Sequence, residues 1–203
     1  MALTDWSKES GAEYQGASNE QAQNGSFSYK AESSSGYNAI AANKQSKTDS
    51  PTEGRVQYWM YPVQVIDGSG YGIAFRLQDA SNYYYARVQD YGSDGFGLMK
   101  VENGTPTKVD GSQINASLSD AVWQHFRITY WQDSGTLNVR FEVDSAGDGT
   151  WSAGASDIAD PNPSFETGGG VGIGQPTSYL TSTSLDVNGY GDPGYWDEVE
   201  VFY

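Results

Sequence analysis

Apolar and polar residues alternate along residues 71–88, and this period of two predicts a β-hairpin. A polar turn runs from Asp79 to Asn82, and pairing of these two residues would place Phe75 opposite Ala86 and Arg76 opposite Tyr85. One face of the predicted hairpin is apolar. The other face carries planar side chains that form hydrogen bonds, namely Arg76, Gln78, Tyr83, Tyr85 and Arg87. The pattern therefore indicates a sheet that covers a core with one face and offers a binding surface with the other.

Similar alternation recurs along the rest of the chain and predicts more short strands. They lie at 25–32, 37–42, 55–65, 95–102, 105–109, 123–131, 137–144, 170–174 and 195–203. Asn103-Gly104 and Asp133-Ser-Gly are typical of the turns that join paired strands. In the pair at 123–144, the side chains expected to face the core are Phe126, Ile128, Tyr130, Leu137, Val139, Phe141 and Val143. Because no long amphipathic helix or sequence repeat is present, the prediction is an all-β fold.

The composition is typical of one domain with many short strands and tight turns. The chain has 203 residues, with 25 Gly, 15 Tyr and no Cys, which excludes disulfides, thiolate metal sites and Cys nucleophiles. We expect a single domain over residues 1–203. Its first 50 residues are polar and rich in Ser, Gly, Asn and Gln, and are interpreted as N-terminal strands or as an assembly arm.

The net charge of the chain excludes some classes of binding partner. The 26 acidic and 11 basic residues give a net charge of −15 at pH 7, which opposes the positive field that nucleic-acid binding requires. No apolar run approaches the roughly 18 residues of a membrane span, so membrane insertion is not expected. The acidic balance also suggests adaptation to high salt, where screening removes the cost of self-repulsion.

Five sequence blocks follow one another in an order known from a large superfamily. They comprise a hairpin FR…D…NYY, a hairpin K…NG, a strand pair W…R…GTL.V, a Gly-Gly-Val-Gly strand and a last strand D-x-V-x-V, at residues 70–88, 98–109, 123–151, 168–174 and 196–202. Together they resemble the concanavalin A-like lectin/glucanase superfamily, in the branch of laminin-G-like (LamG) jelly-roll domains. The resemblance covers residues 55–203 and implies a two-sheet antiparallel jelly-roll sandwich.

The same resemblance implies a metal site. Many members hold one structural calcium ion between the N-terminal segment and the Asp that opens the last strand, which is here Asp197. No other cofactor is expected.

The superfamily also includes glycoside hydrolases, which need two carboxyl groups about 5–9 Å apart across a sugar cleft. The best candidates are Glu142 and Asp144, which resemble the Glu-x-Asp-x-x-Glu signature of those hydrolases. The third carboxylate is missing, because Gly147 occupies its position. His125, the only His, is interpreted as an ordinary strand residue at the surface. We therefore expect no catalysis, with a hydrolase or lyase using Glu142 and Asp144 as an alternative.

Aromatic residues give the remaining functional signal. A glycan site combines a stacking ring with planar hydrogen-bonding groups, and the Arg/Tyr/Gln face of the hairpin offers both. Four more aromatic residues lie in predicted loops that could rim this face, namely Trp151, Tyr179, Tyr190 and Tyr195. The alternative is that Arg–Tyr contacts simply stabilise an exposed sheet.

These observations predict a non-catalytic surface or recognition protein with a jelly-roll fold. Because the N-terminus lacks a secretory signal pattern, the preferred context is the surface of a virion with a halophilic host. There the domain would act as a capsid decoration, turret or tail-fibre head, would bind other virion chains or host glycans, and could form a homo-oligomer. The alternative is a secreted carbohydrate-binding module or lectin, which would place it in the extracellular space.

Overall fold

A computed structural model describes residues 6–8, 14–26, 28–32, 38–43, 52–62, 71–79, 81–88, 97–109, 119, 121–144, 146–153, 157–165, 168–176 and 194–202. Every regular element within these ranges is a β-strand. In chain order the strands are β1 (Trp6–Lys8), β2 (Tyr14–Ser18), β3 (Ser28–Glu32), β4 (Asn38–Asn43), β5 (Gly54–Pro62), β6 (Tyr71–Asp79), β7 (Asn82–Val88), β8 (Gly97–Glu102), β9 (Thr105–Lys108), β10 (Gln124–Asp133), β11 (Thr136–Asp144), β12 (Ser152–Ala153), β13 (Ile158–Asp160), β14 (Gly170–Pro176) and β15 (Gly194–Phe202).

The strands form two antiparallel sheets packed as a sandwich, so the predicted all-β class is confirmed and the architecture is consistent with a jelly roll. The first sheet has the order β1–β4–β14–β6–β7–β8–β9. The second has the order β12–β11–β10–β5–β15–β3–β2, with β13 also paired to β11. The four N-terminal strands are therefore divided between the sheets. Within the described ranges, no helix has the length and apolar character needed to cross a membrane.

The main core lies between the sheets and follows the period-two pattern of the sequence. All seven side chains predicted to face inward from β10 and β11 are buried. Phe75 of β6 stacks on Tyr130 of β10 with 4.8 Å between ring centroids, so aromatic packing joins the two sheets. Other buried members of this core are Val56, Tyr58, Met60, Ile73, Tyr84, Ala86, Leu98, Val109, Ile158, Val171 and Val199.

Two predicted hairpin turns are confirmed by their backbone conformation. Asn103 and Gly104 have φ values of 51° and 76°, and Ser134 and Gly135 have φ values of 51° and 81°. Two consecutive positive φ angles are typical of the type I′ turn, whose twist matches that of paired strands. The turns thereby fix the β8–β9 and β10–β11 registers.

The β6–β7 hairpin has a different register from the predicted one. Asp79 pairs with Asn82 as expected, but Phe75 lies opposite Tyr84 rather than Ala86. Residues 76–78 of β6 stand against Tyr83 alone on β7, so β6 contains a bulge. Arg76 adopts a φ of +48° in this bulge, which changes the side to which its side chain points.

Candidate functional site

Three of the predicted binding residues are buried, so the expectation of an exposed Arg/Tyr/Gln face on the hairpin is wrong. Tyr83 and Tyr85 are 0% exposed. They lie, as the alternation predicted, on the side of β7 away from Tyr84 and the main core, where they form a second apolar cluster with Ala74, Leu77 and Val101. Burial raises the pKa of the Tyr83 hydroxyl. Both rings therefore stabilise the first sheet and offer no stacking surface to a ligand.

The bulge turns Arg76 into the molecule. Its Nη2 donates to the carbonyl of Thr52 at 2.7 Å and to Oε1 of Gln132 at 3.0 Å, and its Nε donates to the same carbonyl at 3.2 Å. Thr52 precedes β5 and Gln132 lies on β10, so the guanidinium links the first sheet to the second. Arg76 is 0% exposed. Its role is to join the sheets, and its predicted place on a binding face is wrong.

The other residues predicted for the hairpin face and its rim do not form a binding site there among the described residues. Gln78 is exposed, but its Nε2 donates to the carbonyl of Gly168. Arg87 pairs through its backbone with Gly72 and Gly97, and its side chain lies outside the description. Of the predicted rim residues, Tyr179 and Tyr190 lie outside the described residues, as does the side chain of Tyr195.

Asp197 joins the N-terminal segment to the last strand through hydrogen bonds. Its Oδ2 accepts from the backbone N–H groups of Gln23 and Asn24, each at 3.0 Å, and its Oδ1 accepts from that of Glu198 at 2.8 Å. The groups around the Asp197 carboxylate are N–H hydrogen-bond donors, whereas calcium is bound by oxygen atoms. In the described part of the chain, no group of three or more His, Cys, Asp or Glu is arranged to hold a metal ion. The described donor set does not fit calcium, and calcium binding stays a prediction.

Glu142 and Asp144 are both engaged in structural contacts. The two carboxylate oxygens of Glu142 accept from Nε and Nη2 of Arg127, each at 2.6 Å. Asp144 accepts from the backbone N–H groups of residues 147–149 at 2.8–3.2 Å. Burial acts to raise the pKa of Asp144, but these three donors outweigh it and the pKa is lowered. A general acid at neutral pH needs a raised pKa, so Asp144 is not set up for that role.

An open cavity of about 240 Å³ lies on the outer face of the second sheet, away from the main core. Three neighbouring strands form its walls: β5 provides Gln57 and Trp59, β10 provides His125, and β15 provides Glu198 and Glu200. The strand register brings them together, since Trp59 lies opposite His125 and Gln57 lies opposite Glu200. Pockets for drug-sized ligands measure about 300–1,000 Å³. This smaller cavity is suited to one ring or end group of a larger ligand.

A stack of aromatic rings borders this cavity. The rings of Trp59 and His125 are parallel within 4°, with centroids 4.5 Å apart. His125 also contacts Trp151 at 4.6 Å between centroids, and the guanidinium of Arg127 lies 4.2 Å from the centre of the Trp151 ring. Trp151 thus lies at the second sheet, not at the hairpin face for which it was predicted. Such stacking restrains the Trp59 indole before any ligand binds.

The loop that follows β11 supports Trp59 from another side. Asp144 closes this loop by accepting the three N–H groups of residues 147–149. Gly147 has a φ of +68°, and a Cβ atom there would lie 2.7 Å from Cη2 of Trp59. Only glycine meets both requirements without displacing the indole. The loop sequence DSAGDG is therefore a tight turn that positions Trp59.

His125 is mostly uncharged at pH 7, because its pKa lies below 6.5. Burial lowers its pKa, and this effect exceeds the raising effects of Asp144, Glu198 and Glu200. Its Nδ1 lies 3.6 Å from Oδ2 of Asp144, which is long for a hydrogen bond. Because the imidazole is uncharged, this contact is not an ion pair, and His125 contributes to the cavity mainly as a ring.

A second bulge places the acidic side of the cavity. The pairing of β15 with β5 shifts between Asp197 and Glu200, and Glu198 has a φ of +48°. Oε1 of Glu198 accepts from Nδ2 of Asn24 at 2.7 Å. Glu200 is exposed and makes no salt bridge within the described ranges. The cavity therefore combines an aromatic wall, one amide and two carboxylates.

Sequence reasoning missed Gln57, Trp59, Glu198 and Glu200 and classed His125 as an ordinary surface residue. A signal for the first two was present, because the alternation along β5 separates Gln57 and Trp59 from the buried Val56, Tyr58 and Met60. The identity of the strands on either side of β5 could not be inferred from that alternation.

No protein-family model matches this chain, and no curated protein matches it in sequence. Solved structures do match it in fold. The carbohydrate-binding module CBM66 from Bacillus subtilis is 14% identical, with a TM-score of 0.58, and the match covers 99% of this chain and 97% of that one.

Two further matches come from enzymes of glycan breakdown. One covers part of a whole xylosidase, and the other is a single domain of an arabinanase. A xylan β-1,4-xylosidase from Bacillus halodurans is 12% identical with a TM-score of 0.55; the match covers 87% of this chain but only 33% of the xylosidase. Domain 4 of an extracellular GH43 arabinanase from Geobacillus stearothermophilus, solved with arabinotriose, is 10% identical with a TM-score of 0.50, covering 97% of this chain and 81% of that one. At these identities the matches establish a shared β-sandwich fold. They do not assign the chain to the LamG branch.

Proposed function

We propose that this chain is a glycan-recognition domain and that its binding site is the cavity formed by Gln57, Trp59, His125, Glu198 and Glu200. The observation that carries the proposal is Trp59, an indole that borders an open cavity and is held by His125 and Gly147. A sugar ring presents apolar C–H faces edged by hydroxyl groups. The aromatic wall would contact the C–H face, and the amide and carboxylate groups would form hydrogen bonds with the hydroxyl groups.

The fold matches agree with this proposal at the level of function class. One is a carbohydrate-binding module and another is a domain solved with arabinotriose. Because one fold hosts many functions, the cavity carries the proposal and the fold matches only support it.

A glycan array probed with the wild-type chain and with Trp59→Ala tests the proposal. We expect wild type to bind a defined set of glycans and Trp59→Ala to bind them at least about thirtyfold more weakly, which is about 2 kcal/mol and typical of an aromatic hot spot. The matched control is Trp131→Ala, which removes a different indole, on β10, that contacts Arg140 and does not line the cavity. Near-ultraviolet circular dichroism of each variant verifies the fold. Glycan binding that survives Trp59→Ala would exclude this cavity as the site.

We propose that recognition occurs without catalysis. Glu142 is held by Arg127, and Asp144 closes the loop that supports Trp59. A reducing-end assay on every glycan that the array identifies should therefore show no turnover. Turnover that disappears in Glu142→Gln would instead establish the hydrolase or lyase alternative.

The biological context follows from the sequence alone and stays a prediction. The predicted location is a virion surface, and the alternative is an extracellular carbohydrate-binding module. Co-sedimentation of the protein with purified virus particles would separate the two, since only a virion component should remain with the particles after extensive washing.

A further inference from the structure

We propose that the cavity selects glycans that carry a protonated amine, such as glucosamine saccharides, over neutral and acidic glycans. This inference rests on the proposed function and specifies its ligand class. It follows from the charges around the cavity, from the positions of nearby cations, and from the aromatic wall.

The ionisable groups that line the cavity give it a negative charge. Glu198 and Glu200 are its two carboxylates, and both are exposed to solvent at the β15 side. His125 is the other ionisable group of the lining and is mostly uncharged at pH 7. A ligand group at this position therefore meets two negative charges and no positive one among the lining residues.

The cations on the neighbouring strands are engaged elsewhere. Arg127 of β10 is bound by Glu142 through two 2.6 Å hydrogen bonds, and Lys30 of β3 lies 2.9 Å from Glu20. Arg55 of β5 lies 4.3 Å from the ring centre of Phe202. Each of these cations has its own partner: a carboxylate for Arg127 and Lys30, and the Phe202 ring for Arg55. No cation among the described residues forms a salt bridge with Glu198 or Glu200, so a ligand can supply that partner.

The aromatic wall favours the same ligand class. An ammonium group is attracted to the electron-rich face of an indole, and tryptophan is the side chain that provides the largest cation–π effect. An amino sugar supplies the ammonium group together with the apolar ring face that stacks on Trp59. Sulfated glycans and uronates carry negative charge, so the cavity should repel them, as should the chain as a whole with its net charge of −15.

The test is calorimetric titration with two matched probes, a glucosamine hexamer and an N-acetylglucosamine hexamer, at pH 7, where part of the amines are protonated and His125 is mostly uncharged. We expect the glucosamine hexamer to bind at least about tenfold more tightly, and added salt to reduce this preference because exposed charges are screened. Glu200→Gln should weaken glucosamine binding by about twofold to fivefold, the range of one exposed ion pair, and leave N-acetylglucosamine unchanged. The matched control is Glu53→Gln, an equal change in net charge on an exposed residue six positions before Trp59, roughly 20 Å along the strand.

The outcomes separate the inference from the proposed function. Equal affinity for both hexamers, or glucosamine binding that is unaffected by Glu200→Gln, would overturn the amine preference. In that case array binding that is lost in Trp59→Ala would still support glycan recognition at the cavity. A blank array together with no binding of either hexamer would overturn both.

Discussion

Tyr58 and Tyr84 both bury a phenol ring in the main core, but their hydroxyl groups differ in environment. The Tyr84 hydroxyl donates to Oδ2 of Asp160 at 2.7 Å and accepts from the backbone N–H of Ser164 at 2.9 Å. Asp160 in turn lies 3.2 Å from Nζ of Lys100. The Tyr58 hydroxyl is buried and has no hydrogen-bond partner among the described residues. Burial raises the pKa of both phenols, so both hydroxyls stay protonated at any physiological pH.

Replacement of each tyrosine by phenylalanine should therefore have opposite consequences. Tyr84→Phe should lower the free energy of unfolding by about 1–3 kcal/mol, because the buried Asp160 loses one of its donors and the Ser164 N–H loses its acceptor. Tyr58→Phe should leave the stability unchanged or raise it by about 1 kcal/mol, because it removes a polar group that is buried without a partner. Urea denaturation of the two variants measures both effects, and each serves as the size-matched control for the other. A marked loss of stability in Tyr58→Phe would show that its hydroxyl has a partner.

At the residue scale, the sequence was informative about which side chains share a face and uninformative about what covers that face. The alternation correctly placed Tyr83 and Tyr85 together, opposite to Tyr84. Both rings are buried in the folded protein, and no local sequence pattern reports whether a face of a sheet will be covered. Arg76 could not be predicted either, because a non-glycine residue with a positive φ has no sequence signature.

The loop between β11 and β12 is the element that connects stability with the candidate site. Gly147 and Gly149 both have positive φ values, of 68° and 86°. A Cβ atom at Gly147 would meet Trp59 at 2.7 Å, whereas a Cβ atom at Gly149 would have no atom within 4 Å. A substitution at either position strains the backbone, but only a substitution at Gly147 also meets the indole of Trp59.

Alanine at each position should separate these effects. Both Gly147→Ala and Gly149→Ala should destabilise the fold by about 1 kcal/mol, the cost of a left-handed conformation for a residue with a Cβ. Only Gly147→Ala should also displace Trp59, and so change the tryptophan fluorescence and weaken glycan binding. Thermal unfolding, fluorescence and array binding measure the three quantities. Equal fluorescence and binding in the two variants would mean that Gly147 does not position Trp59.

At the scale of elements, the strands that the sequence predicted are present, since their turns and alternation are local properties. The same reasoning missed the short strands β1, β2, β12 and β13, which are held by their neighbours and have weak patterns of their own. It also missed the bulge in β6, because the correct pairing of Asp79 with Asn82 suggests an uninterrupted ladder. The cavity was missed for a related reason: it needs β10, β5 and β15 side by side, and this order comes from tertiary packing.

For the molecule as a whole, several groups make the folded state sensitive to acid. Burial lowers the pKa of His125 from 6.5, so the unfolded chain binds this proton at a higher pH than the folded chain does. The stabilising contribution is therefore present above pH 6.5 and is lost as the pH falls through the folded-state pKa. Asp144 and Asp160 act in the same direction at lower pH. Burial acts to raise each carboxyl pKa, but hydrogen bonds outweigh it and lower both below 3.8.

The His125 contribution can be measured separately, because the chain has one histidine. The free energy of unfolding of wild type should fall relative to that of His125→Phe as the pH is lowered from 7 to 5. Phenylalanine keeps a ring between Trp59 and Trp151 and removes the proton site. The measurement is urea denaturation at several pH values, and the difference between the two proteins cancels the titration of the other groups. A difference that does not change with pH would show that His125 has the same pKa in the folded and unfolded states.

The position of β15 between β5 and β3 has a consequence for how the chain folds during synthesis. Strands β2 and β3 are made before the rest of the second sheet, but β15, which joins them to it, is made after every other described strand. The contact of Asn24 with Asp197 spans 173 positions in sequence, and contacts this distant are formed slowly because a long loop must first close. Until the nine residues of β15 arrive, β3 and β5 both present an unpaired edge, so the nascent chain is most open to mispairing just before β15 is made.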